Sequence, residues 1–211
     1  MTTAEATARG EAQAVRACWS CRGPVPARER FCPTCGLVQE PVAGDHFARL
    51  DLEPRFDIDA TDVERRYFAL QRQFHPDRFA ARSAKEKALS LRHATALNEA
   101  YKVLKDPLGR AEHLLSLAGR PVRADGAETV SDPELLMEAM ELRERLSEAA
   151  AAAAVDALLA ETRANSAALE RKLGHAFAAG DFAAAQKLAL RLRYAAKLID
   201  EARERRRRFD R

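Results

Sequence analysis

The sequence predicts an all-α protein: a helical hairpin, then a three-helix bundle, with a small cysteine-rich module in front. Three observations predict it. Apolar residues make up 47% of the 211 and aromatics only 6%, and the apolar set is mostly Leu and Ala, which lose little on entering a helix. Through the stretches 62–104 and 135–199, apolar positions recur every three or four residues, the period of a helix with one buried face. All four cysteines fall between positions 18 and 35, so the rest of the chain builds its core without them.

Charge and hydropathy exclude several classes. Thirty-five basic residues against 32 acidic leave +3, a surface laced with both signs rather than a general polyanion binder. No stretch approaches the ~20 uncharged apolar residues that a membrane span requires. The first seventeen residues mix Glu5 and Glu11 with Arg9 and Arg16 and lack an apolar run. Neither a secretory signal nor an acid-poor transit peptide fits them. Residues 1–16, small and polar without an apolar period, are expected to be a frayed leader.

Residues 17–42 hold Cys18-x2-Cys21, ten residues, then Cys32-x2-Cys35, among Pro24, Pro26, Pro33 and Pro41. Each Cys-x-x-Cys turn aims two thiolates at one point, and two turns complete a tetrahedron. Gly23 follows the first pair and Gly36 the second, which gives backbone amides room to approach sulfur. Four thiolates leave no open coordination position, so the expected ion is a structural zinc on Cys18, Cys21, Cys32 and Cys35. A mononuclear iron and a redox-active Cys-x-x-Cys pair are the alternatives. With so little core, loss of the metal should unfold residues 17–40.

The hairpin is expected within 45–118. Val63, Tyr67, Leu70 and Phe74 share one helical stripe, with Arg65 and Arg72 on the opposite face. His75-Pro76-Asp77 follows, and proline forces its predecessor out of helical geometry. Ser83-x-x-Glu86 is a capping box that opens a second long helix with the stripe Leu89, His93, Ala96, Ala100 and Leu104, stopped by Asp106-Pro107. His93, on that apolar stripe, is expected to be a satisfied core side chain, and His113 has no partner at useful spacing.

Residues 119–131 form the expected linker, and Ser131-Asp132-Pro133-Glu134 opens the bundle at 132–209. Leu135, Ala139, Leu142 and Leu146 make the core face of its first helix. Leu136, Met137 and Met140 fall on a second face beside Glu141, Glu144 and Glu148, a composition that suits an adaptable binding surface; a wide core face is the alternative. The second helix runs through Val155, Leu159, Thr162, Leu169, Leu173 and Phe177 to Gly180. Asp181 caps the third, whose stripe is Leu188, Leu192, Ala195 and Ile199, with Tyr194 off it between Leu190 and Leu198. Arg205–Arg208 is a solvated helix end favoured by the macrodipole.

FHPDRF (74–79), LNEAYKVLKDP (97–107) and Arg110 together resemble a J domain. That resemblance implies that His75, Pro76 and Asp77 engage a DnaK-type (HscA-like) chaperone and trigger its ATP hydrolysis, with Arg65, Arg66 and Arg72 steering its acidic surface. Taken with RAEHLLSLAGR (110–120), LLMEAMELRERL (135–146) and LRLRYAAKLIDE (190–201), residues 45–205 are similar to the HscB family of iron–sulfur cluster co-chaperones. By the same resemblance, Leu136, Met137, Met140, Glu141, Glu144, Glu148 and Tyr194 hold an IscU-like cluster scaffold protein. The chain is then not an enzyme but a bridge, its one cofactor is zinc, and neither nucleic acid nor membrane is a partner. Many bacterial members of that family lack the cysteine module, whose layout CWSC…FCPTC is similar to that of the animal mitochondrial branch. The bacterial cytoplasm is the expected location, with the mitochondrial matrix as the alternative. Two rival functions stand beside this one: a general J-domain co-chaperone that holds other clients, and a zinc-ribbon nucleic-acid binder whose binding would collapse with salt.

Overall fold

The computed structural model describes residues 15–122 and 133–210. Most of the expected leader (1–14), the linker residues 123–131 and the Ser131-Asp132 opening of the bundle lie outside the described residues. At the amino-terminal end Val15–Ala17 (β1) pairs antiparallel with Pro24–Pro26 (β2). A second bridge, Phe31 to Val38, flanks the second cysteine pair in the same way. Val15 and Arg16 therefore belong to the module rather than to the leader, because a Cys-x-x-Cys turn is closed by paired backbone on both sides.

Seven helices follow among the described residues: α1 (His46–Arg49), α2 (Ala60–Gln73), α3 (Ala84–Lys105), α4 (Pro107–Leu117), α5 (Pro133–Glu148), α6 (Ala152–Ala178) and α7 (Phe182–Arg208). Their ends are set by local chemistry. Asp59 caps α2 through Thr61 N–H, and Asp181 caps α7 through Ala184 N–H. Ser83 and Glu86 form the reciprocal capping box of α3, and this hydrogen bonding holds the buried Glu86 carboxyl below its usual range. Asp106-Pro107 ends α3 and at once opens α4, with Gly109 N–H donating to Asp106 at 2.8 Å and proline at the first helical position. Gly180 takes φ +69° to turn α6 into α7.

In the hairpin, Val63, Leu70 and Phe74 of α2 meet Leu89, Leu97, Ala100 and Leu104 of α3, and α4 adds Ala111, Leu114 and Leu115. Tyr67 stacks on Tyr101 (4.3 Å) and donates to Asn98 (2.8 Å), which fixes the register of the two long helices. That core does not stop at the hairpin. Leu173 and Ala176 of α6 and Ala185, Ala189 and Leu192 of α7 belong to the same buried cluster. Phe56 stacks on Phe177 (5.3 Å), Arg110 lies over Phe56 (4.9 Å), and Arg193 pairs with Glu112 (2.8 Å). Hairpin and bundle are thus joined by a continuous interior.

The far end of the bundle has its own core of Leu146, Ala149, Val155, Leu158, Leu159, Leu198 and Ala202. Leu190 and Leu198, which a single stripe sets aside, are buried because α7 is enclosed by more than one neighbour. Helix α5 buries Leu135, Ala139 and Leu146 and is tied down by Arg191 to Glu134 and Glu138 (2.8 Å each) and by Arg145 to Glu161 (2.6 Å). No described helix is long and apolar enough to cross a membrane.

Candidate functional site

The four cysteines converge. Their sulfurs all lie within 4.8 Å of one another, with Cys18 to Cys35 at 3.7 Å and Cys21 to Cys32 at 3.6 Å. A tetrahedral ion with bonds of about 2.3 Å needs edges of roughly 3.8 Å, so the donor set fits a zinc-sized cation. The two turns are built alike. Arg22 N–H donates to the Cys18 carbonyl (3.1 Å) and Gly36 N–H to that of Cys32 (2.8 Å), while Cys18 N–H and Cys32 N–H reach Gly23 and Leu37, each at 2.9 Å. The equivalent of Gly36 (φ +73°) is Arg22 (φ +62°), one residue before the glycine singled out in sequence. Gly23 serves instead for room, since a Cβ there would meet Thr34 Oγ1 at 2.9 Å and Cys21 Sγ at 3.3 Å.

Electrostatics in the cluster favour a bound cation. Burial pushes the Cys18 thiol up, but the amides of Cys21 and Ser20 and the thiols of Cys32 and Cys35 outweigh it and bring it to about 6. Cys32 is lowered too: burial opposes it, and the amides of Cys35 and Thr34 with the thiols of Cys21 and Cys35 prevail. At Cys35 the Leu37 amide pulls downward, but burial and the neighbouring Cys21, Cys32 and Cys18 push it up to about 12. Packed this closely the sulfurs compete for charge, and a bound cation would draw them toward the thiolate form. Gln39 Nε2 also donates to Cys18 Sγ at 3.4 Å, an outer hydrogen bond of the kind that orients a metal ligand.

Downstream of α2, His75 has the extended backbone required before proline (φ −58°, ψ 132°) and Pro76–Phe79 forms one 3₁₀ turn. Asp77 N–H donates to His75 Nδ1 at 3.3 Å, and the Asp77 carboxylate lies 3.5 Å from the same nitrogen. Both side chains are exposed, while Phe74 and Phe79 on either side are buried. Ser90 Oγ donates to the Phe74 carbonyl at 2.8 Å and so fixes the point where the chain leaves the helix. Arg65 and Arg72 are exposed on α2; Arg66 is half-buried, paired with Asp62 at 2.8 Å and donating to the Asp51 carbonyl at 2.5 Å. Phe68 is 48% exposed between Arg65 and Arg72. It lies off the apolar stripe of α2, and the spacing 65, 68, 72 puts it on one helical face with the two arginines.

The histidines on apolar faces are satisfied in the fold. His93 is buried, with Nε2 donating to the Gln39 carbonyl at 2.8 Å. His113, given no partner in sequence, accepts from His46 N–H at 3.0 Å and packs on the His46 ring at 4.3 Å. Only the fold brings these two positions together.

On α5, Leu136 is 43% exposed, Met140 63% and Met137 72%, so this face is not part of a wide core. Glu141, Glu144 and Glu148 are exposed beside it. Tyr194, half-buried on α7, shares a cleft of about 410 Å³ with Glu141, Leu142, Arg145 and Asn165. Of the residues expected on that α5 face only Glu141 lines the cleft with Tyr194; Leu136, Met137, Met140, Glu144 and Glu148 do not.

A family model described as the HSCB C-terminal oligomerisation domain matches residues 131–203. The mouse protein named iron-sulfur cluster co-chaperone protein HscB is 36% identical over 181 residues, covering 84% of this chain and 77% of that one. A Burkholderia multivorans protein named co-chaperone protein HscB homolog is 40% identical over 159 residues, 74% of this chain and 90% of its own. The crystal structure of human co-chaperone protein HscB superposes with a TM-score of 0.83 at 34% identity, over 89% of this chain and 97% of that one. The Saccharomyces cerevisiae Jac1 co-chaperone does so with a TM-score of 0.62 at 27% identity, over 72% and 86%. Since the fold is shared with the human protein and more than a third of the aligned residues with the mouse one, along most of their length, this chain belongs to the HscB co-chaperone family.

Proposed function

We propose that this protein is a bridging J-type co-chaperone of iron–sulfur cluster assembly. The His75-Pro76-Asp77 turn docks on a DnaK-type, HscA-like ATPase and stimulates its ATP hydrolysis, with Arg65, Arg72 and the exposed Phe68 on the approach face. The α5 face of Leu136, Met137 and Met140, edged by Glu141, Glu144 and Glu148 and continued by Tyr194, holds an IscU-like scaffold. The observation that carries this reading is that an exposed His-Pro-Asp turn and an exposed, acid-edged methionine face stand on one chain, the turn on a hairpin that shares its core with α6 and α7 and the face on α5, which packs against that pair. Holding both partners raises the effective concentration of scaffold at the chaperone, and hydrolysis then shifts the chaperone's populations. The protein itself hydrolyses nothing. Zinc is the resident ion of the four cysteines, which would hold it as a structural staple. A reducing compartment, the bacterial cytoplasm in the first instance, suits cysteines left unpaired by disulfides.

The test uses purified ATPase and scaffold. His75→Gln is expected to abolish stimulation with helicity preserved, since His75 is exposed; full stimulation by that variant overturns the chaperone assignment. Replacing Leu136, Met137 and Met140 with Ser is expected to weaken scaffold binding by at least about a hundredfold if they are the anchors. Unchanged scaffold affinity removes that face from the mechanism. A general client holder would instead bind unfolded polypeptide as well as it binds folded scaffold.

A further inference from the structure

Two lines of contact run from the cysteine cluster to the base of the His-Pro-Asp turn, and both end on Phe74. The first starts beside Cys32: Phe31 stacks on Phe74 with centroids 5.4 Å apart and planes 9° from parallel. The second starts at Cys18, whose sulfur accepts from Gln39 Nε2 (3.4 Å); the Gln39 carbonyl accepts from His93 (2.8 Å), and the His93 ring stacks on Phe74 at 4.0 Å and 8°. Each Cys-x-x-Cys turn thus contributes one path. Phe74 is wholly buried and immediately precedes His75.

We propose that the cysteine module is a positioning element for the His-Pro-Asp turn: when metal-bound, it clamps Phe74 and thereby fixes His75 and Asp77 in the geometry the chaperone meets. This rests on the assignment of that turn as the docking element. The physical reason is that the turn hangs between two buried anchors. His75 and Asp77 are exposed and touch mainly each other, while Phe74 and Phe79 hold the backbone on either side, and Phe74 is the anchor that Phe31 and His93 stack on. The module's own buried cluster is Cys18, Val25 and Cys32, while its Val38 enters the hairpin core, so the ion is the chief link between its two cysteine turns. Metal-bound and metal-free modules are therefore two discrete states, as transmission of an effect requires. A turn fixed in advance loses less freedom on docking and binds more tightly.

The experiment uses the full-length zinc-loaded chain with two readouts: the backbone amide resonances of His75 and Asp77, and the co-chaperone concentration giving half-maximal ATPase stimulation. Phe31→Ala, which leaves all four cysteines, is expected to shift those resonances but not those of α5–α7. It should raise the half-saturating concentration about three- to tenfold, the equivalent of one aromatic stack, while the maximal rate is kept. Phe31→Tyr should restore both values. Chelating zinc from the unmutated chain should move the same resonances, and that arm decides if Phe31→Ala fails to hold metal. A purely structural role for Phe31 would lower the melting temperature and leave half-saturation unchanged. Unmoved His75 and Asp77 resonances in the stripped chain, or an unchanged half-saturating concentration in zinc-loaded Phe31→Ala, overturns the proposal. His75→Gln is the separate control: full stimulation there defeats the docking assignment, while the resonances still judge the tie between metal and turn.

Discussion

The hairpin is held on two sides by junctions of unequal extent. Toward the bundle, Leu173, Ala176, Ala185, Ala189 and Leu192 enter the same interior as Val63, Leu104 and Leu115, and Phe56 stacks on Phe177. Toward the cysteine module the join is smaller: of its described residues Val38 alone enters that interior, Trp19 and Phe31 pack against it, and beside them stand the stack on Phe74, one buried histidine hydrogen bond and pairs such as Arg92 with Glu40 (2.8 Å) and Arg30 with Asp51 (2.9 Å). Each large apolar side chain buried contributes about 1.5–3 kcal/mol under any ordinary condition, whereas an exposed ion pair contributes about 1 or less and fades with salt. The hairpin and the α6–α7 pair are therefore joined by a permanent core, and α5 is seated on that pair through the separate far-end cluster. Attachment of the module rests on fewer buried side chains, and the local fold that presents them depends on a ligand.

Removing the metal is the largest test of that difference, since structural zinc binding supplies on the order of 10 kcal/mol to so small a fold. Trp19, the single tryptophan, is half-buried and donates to the Val38 carbonyl at 2.7 Å, so it reports on the module. Chelation under reducing conditions is expected to red-shift Trp19 emission while far-UV helicity hardly changes. Helicity that collapses together with the emission shift would mean the hairpin needs the module, and the contrast between the junctions would be lost.

What the chain discloses in advance follows the same division between local and long-range causes. The cysteine spacing, the Ser83–Glu86 box and the Asp181 cap are readable because each is closed within a few residues. Periodicity finds the exposed Leu136, Met137 and Met140 and the buried Leu135, Ala139 and Leu146, since both faces lie on one helix. It fails at Leu190 and Leu198, because a single stripe presumes a single neighbour. The linker expected at 119–131 suggests two loosely joined domains, yet its first residues are already held by α7. Gln186 Nε2 donates to the Pro121 carbonyl (3.4 Å), and Arg193 Nη2 to that of Val122 (3.3 Å). Helix α4 is concealed by Asp106-Pro107, which signals a stop and a start at once.

The permanent junction is tested by Leu173→Ala. Leu173 is wholly buried in α6 but sits in the interior shared with the hairpin. Truncation is expected to cost about 2–5 kcal/mol, with helix loss in urea remaining a single transition at lower denaturant. Two separated transitions, with only the later-sequence helices destabilised, would show that bundle and hairpin unfold independently.

The smallest effect comes from His93, at the conditional junction. Burial lowers its pKa to about 4 from the ordinary 6.5; the Gln39 carbonyl opposes this, nearby Arg30 and Arg16 reinforce it, and Glu40 opposes it weakly. Because the carbonyl of Gln39 can only accept, the neutral ring carries its proton on Nε2. The folded pKa lies below the unfolded one, so the unfolded chain binds the proton first as pH falls. Stability associated with the neutral ring is fully present above pH 6.5 and lost progressively toward about pH 4, reaching on the order of 3 kcal/mol there. Only about 1 kcal/mol of it has gone by pH 5.5. Acid also protonates the metal-binding thiolates, so the measurement is the difference in urea stability between the unmutated chain and His93→Gln, in which the metal's contribution largely cancels. That difference should shrink by about 1 kcal/mol between pH 7.5 and 5.5. A flat difference would mean that His93 is solvated in the folded protein and that the module does not seal it against Phe74.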